Sequence, residues 1–333
     1  DEIIKSKKRY CFLNKNNKNF DNITFFNDIY EAENKFKKFT CAFITSPNEY
    51  HLSHLKDCIN LKIPYIYVEK PAIGVEDYLI NNNENNSIKF LQIGYQYNYE
   101  PAIIQLKNII NKNSFGSLLR LDIFFGKGIA FKEDFANKWR SRNINAVSET
   151  LGSHLINILI FLLGKEKIKV SKSLTKKSNE NNFFDTFHFS GFTKDSIMFS
   201  LTASWGSPLN QTIKAYFSDM VWSYDMERII KNYPRDSFNE KGLFKYPPTI
   251  IEECKRQGIK ASVSSFLKKV MSNQEYDFEK SARKIHFNHH SNSNEDYYTE
   301  KDHETYQFSP YKKFDKLLLD LIGVSILNSI FLI

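Results

Sequence analysis

Glycine and cysteine are both scarce, with 12 and 4 copies among 333 residues. The cysteines, Cys11, Cys41, Cys58 and Cys254, lie far apart, form no C-x-x-C pair and sit in apolar or helical surroundings. That pattern excludes a disulfide scaffold and reads as buried or incidental thiols in a reducing, cytoplasmic compartment. No basic segment followed by an apolar stretch opens the chain, so no signal peptide is visible. The apolar run Leu317–Ile333 has 17 residues and is interrupted by Asp320, Ser325, Asn328 and Ser329. It is short for a membrane span and is expected to be a core helix. Disorder is excluded as well, because 41% of residues are hydrophobic and 15% aromatic, enough to bury one large core or two ordinary ones. Lys and Arg number 46 against 38 Asp and Glu, a net charge of +8. The excess is spread through Lys- and Asn-rich runs without a basic stripe interleaved with exposed aromatics, so no nucleic-acid partner is expected.

The order of patterns divides the chain. Asn27–Lys37 has helical spacing, Thr40–Thr45 is a short apolar run, and Ser46-Pro47-Asn48 is a turn with a helix N-cap leading into the amphipathic stretch Glu49–Leu61. Ile63–Val68 and Ile88–Gly94 are two further apolar runs, the signature of buried parallel strands joined by right-handed crossovers. After the helical pattern of Pro101–Asn113 the grammar changes. Strand-like runs at Leu118–Phe125, His188–Thr193, Ser196–Trp205, Ile213–Phe217 and Met220–Tyr224 are separated by turn residues, with one main helix at Val147–Leu163. The expected fold is an α/β, Rossmann-type parallel-sheet domain over residues 1–98, followed by an α+β domain with a mainly antiparallel sheet over residues 99–333. The polar, His-rich stretch Asn288–Thr305 is expected to be a mobile loop. His286, His289, His290 and His303 lack the spacing of a metal site, and no metal is expected.

Ligands of an open parallel sheet bind outside the carboxyl ends of its strands. Ser46-Pro47-Asn48 and Glu69-Lys70-Pro71 both fall at such ends and should share one crevice. Chemistry in such a crevice calls for a group of tunable pKa near the reacting atoms. Lys70 and His154 are suitable types.

The segment Ala42–Pro71 resembles the Gfo/Idh/MocA oxidoreductases, which share a T-P-N-x-x-H turn followed by a strand ending in E-K-P. Here these are Ser46-Pro47-Asn48-Glu49-Tyr50-His51 and Glu69-Lys70-Pro71. Further similarities follow in order: Gly94-Tyr95-Gln96-Tyr97-Asn98-Tyr99-Glu100-Pro101, with Asn98 for the usual Arg, then Trp139-Arg140, then Ala146–Gly164 with its histidine and closing Leu-Leu-Gly. The resemblance implies hydride transfer between NAD or NADP and a sugar, nucleotide sugar or cyclic polyol. It implies Lys70 and His154 as catalytic residues, with Lys70 on the substrate hydroxyl and the cofactor and His154 as proton acceptor or donor. Ser46, Pro47, Asn48, His51, Glu69, Lys70, Pro71 and Asn98 would line the cofactor, Pro71 following a cis peptide. Lys70, Tyr95, Trp139, Arg140, Thr150 and His154 would line the substrate. His51 has the alternative role of capping or buttressing the turn. A homo-oligomer, dimer or tetramer, formed through the uncovered sheet face is also implied.

Three departures qualify that picture. Thr150 and Asn157 stand where the family usually has acids flanking the helix histidine, leaving Glu149 as a neighbouring substitute. No G-x-G-x-x-G precedes residue 22, although a dinucleotide site needs that turn for backbone approach to the pyrophosphate. Asp1–Lys8 reads as the tail of a first helix, so about 30 residues of strand, turn and helix are expected ahead of it. Asn14 and Lys15, after the strand-like Tyr10–Leu13, occupy the place of the acid that grips the ribose, which leans toward NADP. The competing reading is a degenerate member acting as a sugar-binding or protein-interaction module.

Overall fold

The computed structural model describes residues 26, 28–71, 75, 78, 87–132, 135, 146–163, 168–177, 183–233, 239–243 and 249–272, together with the backbone of strands at 287–290, 296–300 and 330–332. Helix α1 (Ile29–Phe36) starts on Asp28, whose carboxylate accepts from the Glu31 amide, and ends on Lys37 in the left-handed region. Strand β1 (Cys41–Ile44), helix α2 (His51–Asn60), strand β2 (Tyr65–Val68) and strand β3 (Phe90–Ile93) follow. β1 pairs with β2 and β2 with β3, both in parallel.

Period-two alternation explains why this sheet is covered on both faces. Ala42, Ile44, Ile66 and Val68 point to one side and pack with Ile29, Ala32, Leu55 and Cys58 of α1 and α2. Cys41, Tyr65, Tyr67 and Phe90 point to the other. That second face is closed by α5 (Gly258–Met271), which returns from beyond the boundary expected at residues 98 and 99. Its Phe266 is fully buried, with its ring 5.1 Å from Phe43, 5.7 Å from Tyr67 and 5.8 Å from Phe90, centroid to centroid. Gln92 Nε2 donates to the Ser262 carbonyl at 3.0 Å, tying the sheet face to α5, while Gln92 Oε1 is buried without a partner among the described residues.

Helix α3 (Pro101–Lys112) opens with proline at its first turn and closes on Asn113 in the left-handed region. Strand β4 (Leu118–Gly126) then enters a second sheet. A wide π turn at Ser148–Gly152 runs into helix α4 (Ser153–Leu163). Strands β5 (Ile168–Lys176), β6 (Thr186–Thr193), β7 (Met198–Ser204), β8 (Asn210–Phe217), β9 (Val221–Tyr224), β10 (Arg228–Asn232) and β11 (Thr249–Glu253) complete the main body. The spatial order is β11-β10-β9-β8-β4-β7-β6-β5. Every neighbouring pair is antiparallel except β4 and β7, which are parallel at the centre. All the residues of α4 but Phe161 are buried, Ser153, His154 and Asn157 among them, so the helix is enclosed on every side.

Two expectations change. Within the His-rich stretch, β12 (Phe287–His290) and β13 (Asp296–Glu300) pair antiparallel, and β13 extends the second sheet beside β5. Within the expected C-terminal helix, β14 (Ile330–Leu332) is instead a strand antiparallel to β1; short apolar runs serve either state, and a free sheet edge decides between them. Residues 1–25, with Tyr10–Leu13, Asn14 and Lys15, lie outside the described residues. No helix among the described residues is long and apolar enough to cross a membrane.

Phe266→Ala would leave a cavity under three aromatic rings and should cost about 3–5 kcal/mol, read as a lowered urea midpoint at constant slope. A loss below about 1 kcal/mol would show that α5 does not close this face.

Candidate functional site

Three strand ends converge with the π turn. After β1 the chain turns through Ser46-Pro47-Asn48, and the expected N-cap does not form: neither Pro47 nor Tyr50 gives a side-chain cap to the first turns. The polar side chains are used elsewhere. Ser46 Oγ lies 2.9 Å from His54 Nδ1, and Asn48 Nδ2 donates to Glu149 Oε2 at 2.6 Å. After β2, the Lys70–Pro71 peptide is cis. Lys70 Nζ donates to the Thr150 carbonyl at 2.9 Å. The π turn thus offers a side chain and a backbone oxygen, on consecutive residues, to two different strand ends; wide turns of this kind recur at functional sites. Gly152 lets the turn press on β6, since a Cβ there would meet Phe187 Cδ1 at 3.0 Å.

His51 ties the first two loops together. It is 0% exposed, with Nδ1 2.8 Å from the Pro71 carbonyl and Nε2 2.7 Å from the Ser46 carbonyl. Burial holds its pKa below the ordinary value, against the two carbonyls, with Lys70 and His54 adding to the depression. Both ring nitrogens are engaged within the protein, so His51 takes the buttressing role and has no nitrogen left for a cofactor. Glu69, also expected beside the cofactor, has its carboxyl pKa raised by burial, with Lys70 opposing.

His154 lies one turn beyond Thr150, 7% exposed. Its Nδ1 is buried with no hydrogen-bond partner among the described residues. Glu149, adjacent to Thr150, does not supply that partner, because it faces Asn48 on the other side of the turn. Asn157 likewise has a buried Oδ1 without a partner among the described residues. Burial first, then the charges of Lys70, Lys127 and Arg256, push the His154 pKa well below the ordinary histidine value. The imidazole is therefore neutral at physiological pH and is a proton acceptor rather than a donor.

The third strand end supplies Tyr95, which is buried, and Asn98, whose Oδ1 is buried without a partner among the described residues. It is Tyr97, two residues beyond Tyr95, whose ring lies edge-on to His154 at 4.9 Å. Arg256 Nη2 donates to the Tyr97 hydroxyl at 3.1 Å. Neither Arg256 nor Lys127 stands out in the sequence, because each is a lone cation in a polar stretch and only the fold brings them beside His154. Trp139 and Arg140 lie outside the described residues.

The buried neutral histidines set a pH dependence of stability. With the folded pKa of His154 below the unfolded 6.5, the unfolded chain binds a proton that the native state does not once pH falls below that value. Stability is then full above about pH 6.5 and declines below it, by up to about 1.4 kcal/mol per pH unit for each such group. His154→Gln should flatten the decline between pH 6.5 and 5, measured by urea unfolding. An unchanged slope would place His154 in solvent.

Comparisons with known proteins bear on this geometry. Residues 103–220 match the GFO/IDH/MocA C-terminal domain. Glucose-6-phosphate 3-dehydrogenase of Bacillus subtilis is 28% identical over 145 residues, which are 41% of this chain and 40% of the relative. The chain therefore spans less than half the length of that relative. Among solved structures, the dehydrogenase MviM of Clostridium difficile superposes with a TM-score of 0.60 at 13% identity, covering 80% of this chain and 79% of that one. An inositol dehydrogenase homolog of Azotobacter vinelandii, solved with NADH and myo-inositol, gives 0.58 at 14% identity over 70% of this chain and 66% of that one. The two structural likenesses are of fold. Residues 103–220 are thus similar to the Gfo/Idh/MocA C-terminal domain, and the parallel sheet whose strand ends meet that region gives the chain the fold of these solved dehydrogenases.

Proposed function

We propose that this protein is an oxidoreductase that transfers a hydride between NAD or NADP and a hydroxyl or keto carbon of a sugar, nucleotide sugar or cyclic polyol. The observation that carries the reading is the contact between Lys70 at a parallel-strand end and the turn that leads into His154. It brings the strand ends, where this fold takes a dinucleotide, against the helix bearing a titratable base. The named activities of the sugar-phosphate relative and the inositol dehydrogenase homolog support the substrate class.

The residues present suit the nicotinamide end of the cofactor. The buried Asn98 Oδ1 is an acceptor in need of a donor such as an amide N–H. Asn48, Lys70 and Asn98 would hold that end, with Ser46, Pro47, Glu69 and Pro71 shaping the walls, and the bound cofactor supplies the hydride chemistry. Lys70 would leave the Thr150 carbonyl for the reacting hydroxyl, orienting it and stabilising negative charge on its oxygen. Neutral His154 would accept the hydroxyl proton during oxidation. Tyr95, Trp139, Arg140 and Thr150 are assigned to the substrate side.

A cytoplasmic protein and a homo-oligomer belong to the same reading. Leu174, Phe192, Met198 and Ile251 are exposed on the sheet face turned away from α3 and α4, an apolar surface that a second copy of the chain would cover. Neither a nucleic acid nor a membrane is a proposed partner. The second reading, a member that binds sugars without turnover, is favoured by one observation: Thr150 and Asn157 leave His154 Nδ1 without a carboxylate.

Fluorescence titration of the full-length protein should show saturable binding of NADH or NADPH. Lys70→Ala and His154→Ala should each lower turnover of a sugar or polyol by about 10²- to 10⁴-fold with cofactor affinity kept within a few-fold. Absence of binding to either cofactor would overturn the oxidoreductase reading. Binding without turnover in the unmodified protein would leave the non-catalytic one.

A further inference from the structure

We propose that Tyr97 is the positioning residue for His154: its ring, packed edge-on against the imidazole, takes the place of a hydrogen-bonded partner in aiming the base. The inference rests on the reading of His154 as the base of the proposed reaction and names what holds it in line.

A base acts only while its lone pair points at the proton it takes. Rotation of an imidazole about its Cβ–Cγ bond has only a broad preference, so something outside the residue must fix the ring plane. A hydrogen bond to the second ring nitrogen is the usual device. His154 Nδ1 is buried with no such partner among the described residues. Three polar neighbours along the chain do not supply one. The Thr150 hydroxyl donates one turn back to the Ala146 carbonyl at 2.8 Å, and Glu149 Oε2 accepts from Asn48. Asn157 Oδ1 is itself buried without a partner among the described residues.

Packing supplies the constraint instead. The buried Tyr97 ring has its centroid 4.9 Å from that of His154, with the two planes at 81°, the edge-to-face arrangement that aromatic pairs prefer. Phe125 of β4, fully buried, packs on the same tyrosine at 5.1 Å.

Tyr97 is held at both ends. Its backbone lies in a 3₁₀ turn over Gln96–Tyr99, where the Glu100 amide donates to the Tyr97 carbonyl at 3.2 Å. Its hydroxyl accepts from Arg256 Nη2 at 3.1 Å. Glu100 joins the two anchors. Almost wholly buried, its carboxylate accepts from the Tyr224 hydroxyl at 3.2 Å, the Gln257 amide at 3.1 Å and the Gly258 amide at 2.8 Å, which fixes the backbone immediately after Arg256. Gly258 lets the two segments touch, since a Cβ there would lie 2.6 Å from the Gln96 carbonyl. Turn, carboxylate, arginine and tyrosine hydroxyl thus close a ring of contacts around the side chain that packs on His154, the supporting shell that a precisely placed group requires.

Carbon relaxation of the His154 ring, measured by NMR on the full protein labelled in histidine and assigned with His154→Gln, reads this orientation directly. The unmodified protein and Tyr97→Phe, which keeps the ring, should both give a rigid imidazole. Tyr97→Leu should lower its order parameter from about 0.85 to below about 0.6. Where Tyr97→Leu does not fold, Tyr97→Met repeats the test with a longer, adaptable side chain. Tyr67→Leu is the control, because Tyr67 is equally buried but packs on Phe266 in the first sheet; it should lower the urea midpoint and leave the His154 ring rigid. With myo-inositol and glucose 6-phosphate as probes, Tyr97→Leu should lower kcat by about 10- to 100-fold with KM kept within about three-fold, and Tyr97→Phe should stay within about three-fold of the unmodified protein. A rigid imidazole in Tyr97→Leu, an equal loss of order in Tyr97→Phe, or the same loss in Tyr67→Leu would overturn the inference, and ring order decides it even where neither probe is oxidised. Ring order that follows Tyr97 in a protein binding neither NADH nor NADPH would reject the oxidoreductase reading alone, whereas cofactor binding and turnover indifferent to Tyr97→Leu would reject this inference alone.

Discussion

The seam between the first parallel sheet and the π turn at Ser148–Gly152 is the constraint on which the site depends. Asn48 reaches the Glu149 carboxylate and Lys70 reaches the Thr150 carbonyl, so two strand-end loops are latched to adjacent residues of one turn. His51 and the strands they follow hold the same two loops from the other side. With the two latches in place, Lys70 is held against the turn that leads directly into His154. One latch uses the Glu149 side chain and the other the Thr150 backbone carbonyl, both within a π turn, a form that recurs at functional sites.

The second constraint is electrostatic. His154 is buried, its Nδ1 has no hydrogen-bond partner among the described residues, and the charges of Lys70, Lys127 and Arg256 add to the effect of burial. Each factor favours the neutral ring. His51 lies between the Ser46 and Pro71 carbonyls; the neutral ring that burial favours donates to one of them and only the protonated ring to both, and either way the ring packs the two loops together.

Much of this was legible in the sequence, for identifiable reasons. The parallel strands announced themselves because a sheet covered on both faces requires continuous apolar runs, and TCAFIT and IPYIYV are such runs. The order of Ser46-Pro47-Asn48, Glu69-Lys70-Pro71 and the helix histidine leads to the expectation of one crevice, and the structure brings both loops against the turn that precedes His154. What the sequence hid was long-range. A Pro-Asn turn looks like a helix cap, and nothing local says that Asn48 is drawn across to Glu149. Tyr95 and Tyr97 are indistinguishable in a run of alternating tyrosines until a ring packs on His154. Arg256 is one basic residue ahead of a helix until Glu100 fixes its backbone. The strands within the His-rich stretch and at the C-terminus were missed because polar composition and short apolar runs do not specify a sheet edge.

The most direct test of the latch is a double-mutant cycle between Asn48 and Glu149, with Asn48→Ala, Glu149→Ala and the pair compared by urea unfolding. A direct contact to a carboxylate predicts a coupling energy of about 1–3 kcal/mol. Additive losses, with coupling below about 0.3 kcal/mol, would mean that the sheet and the turn are not held together there, and the assembly of the site would need another explanation.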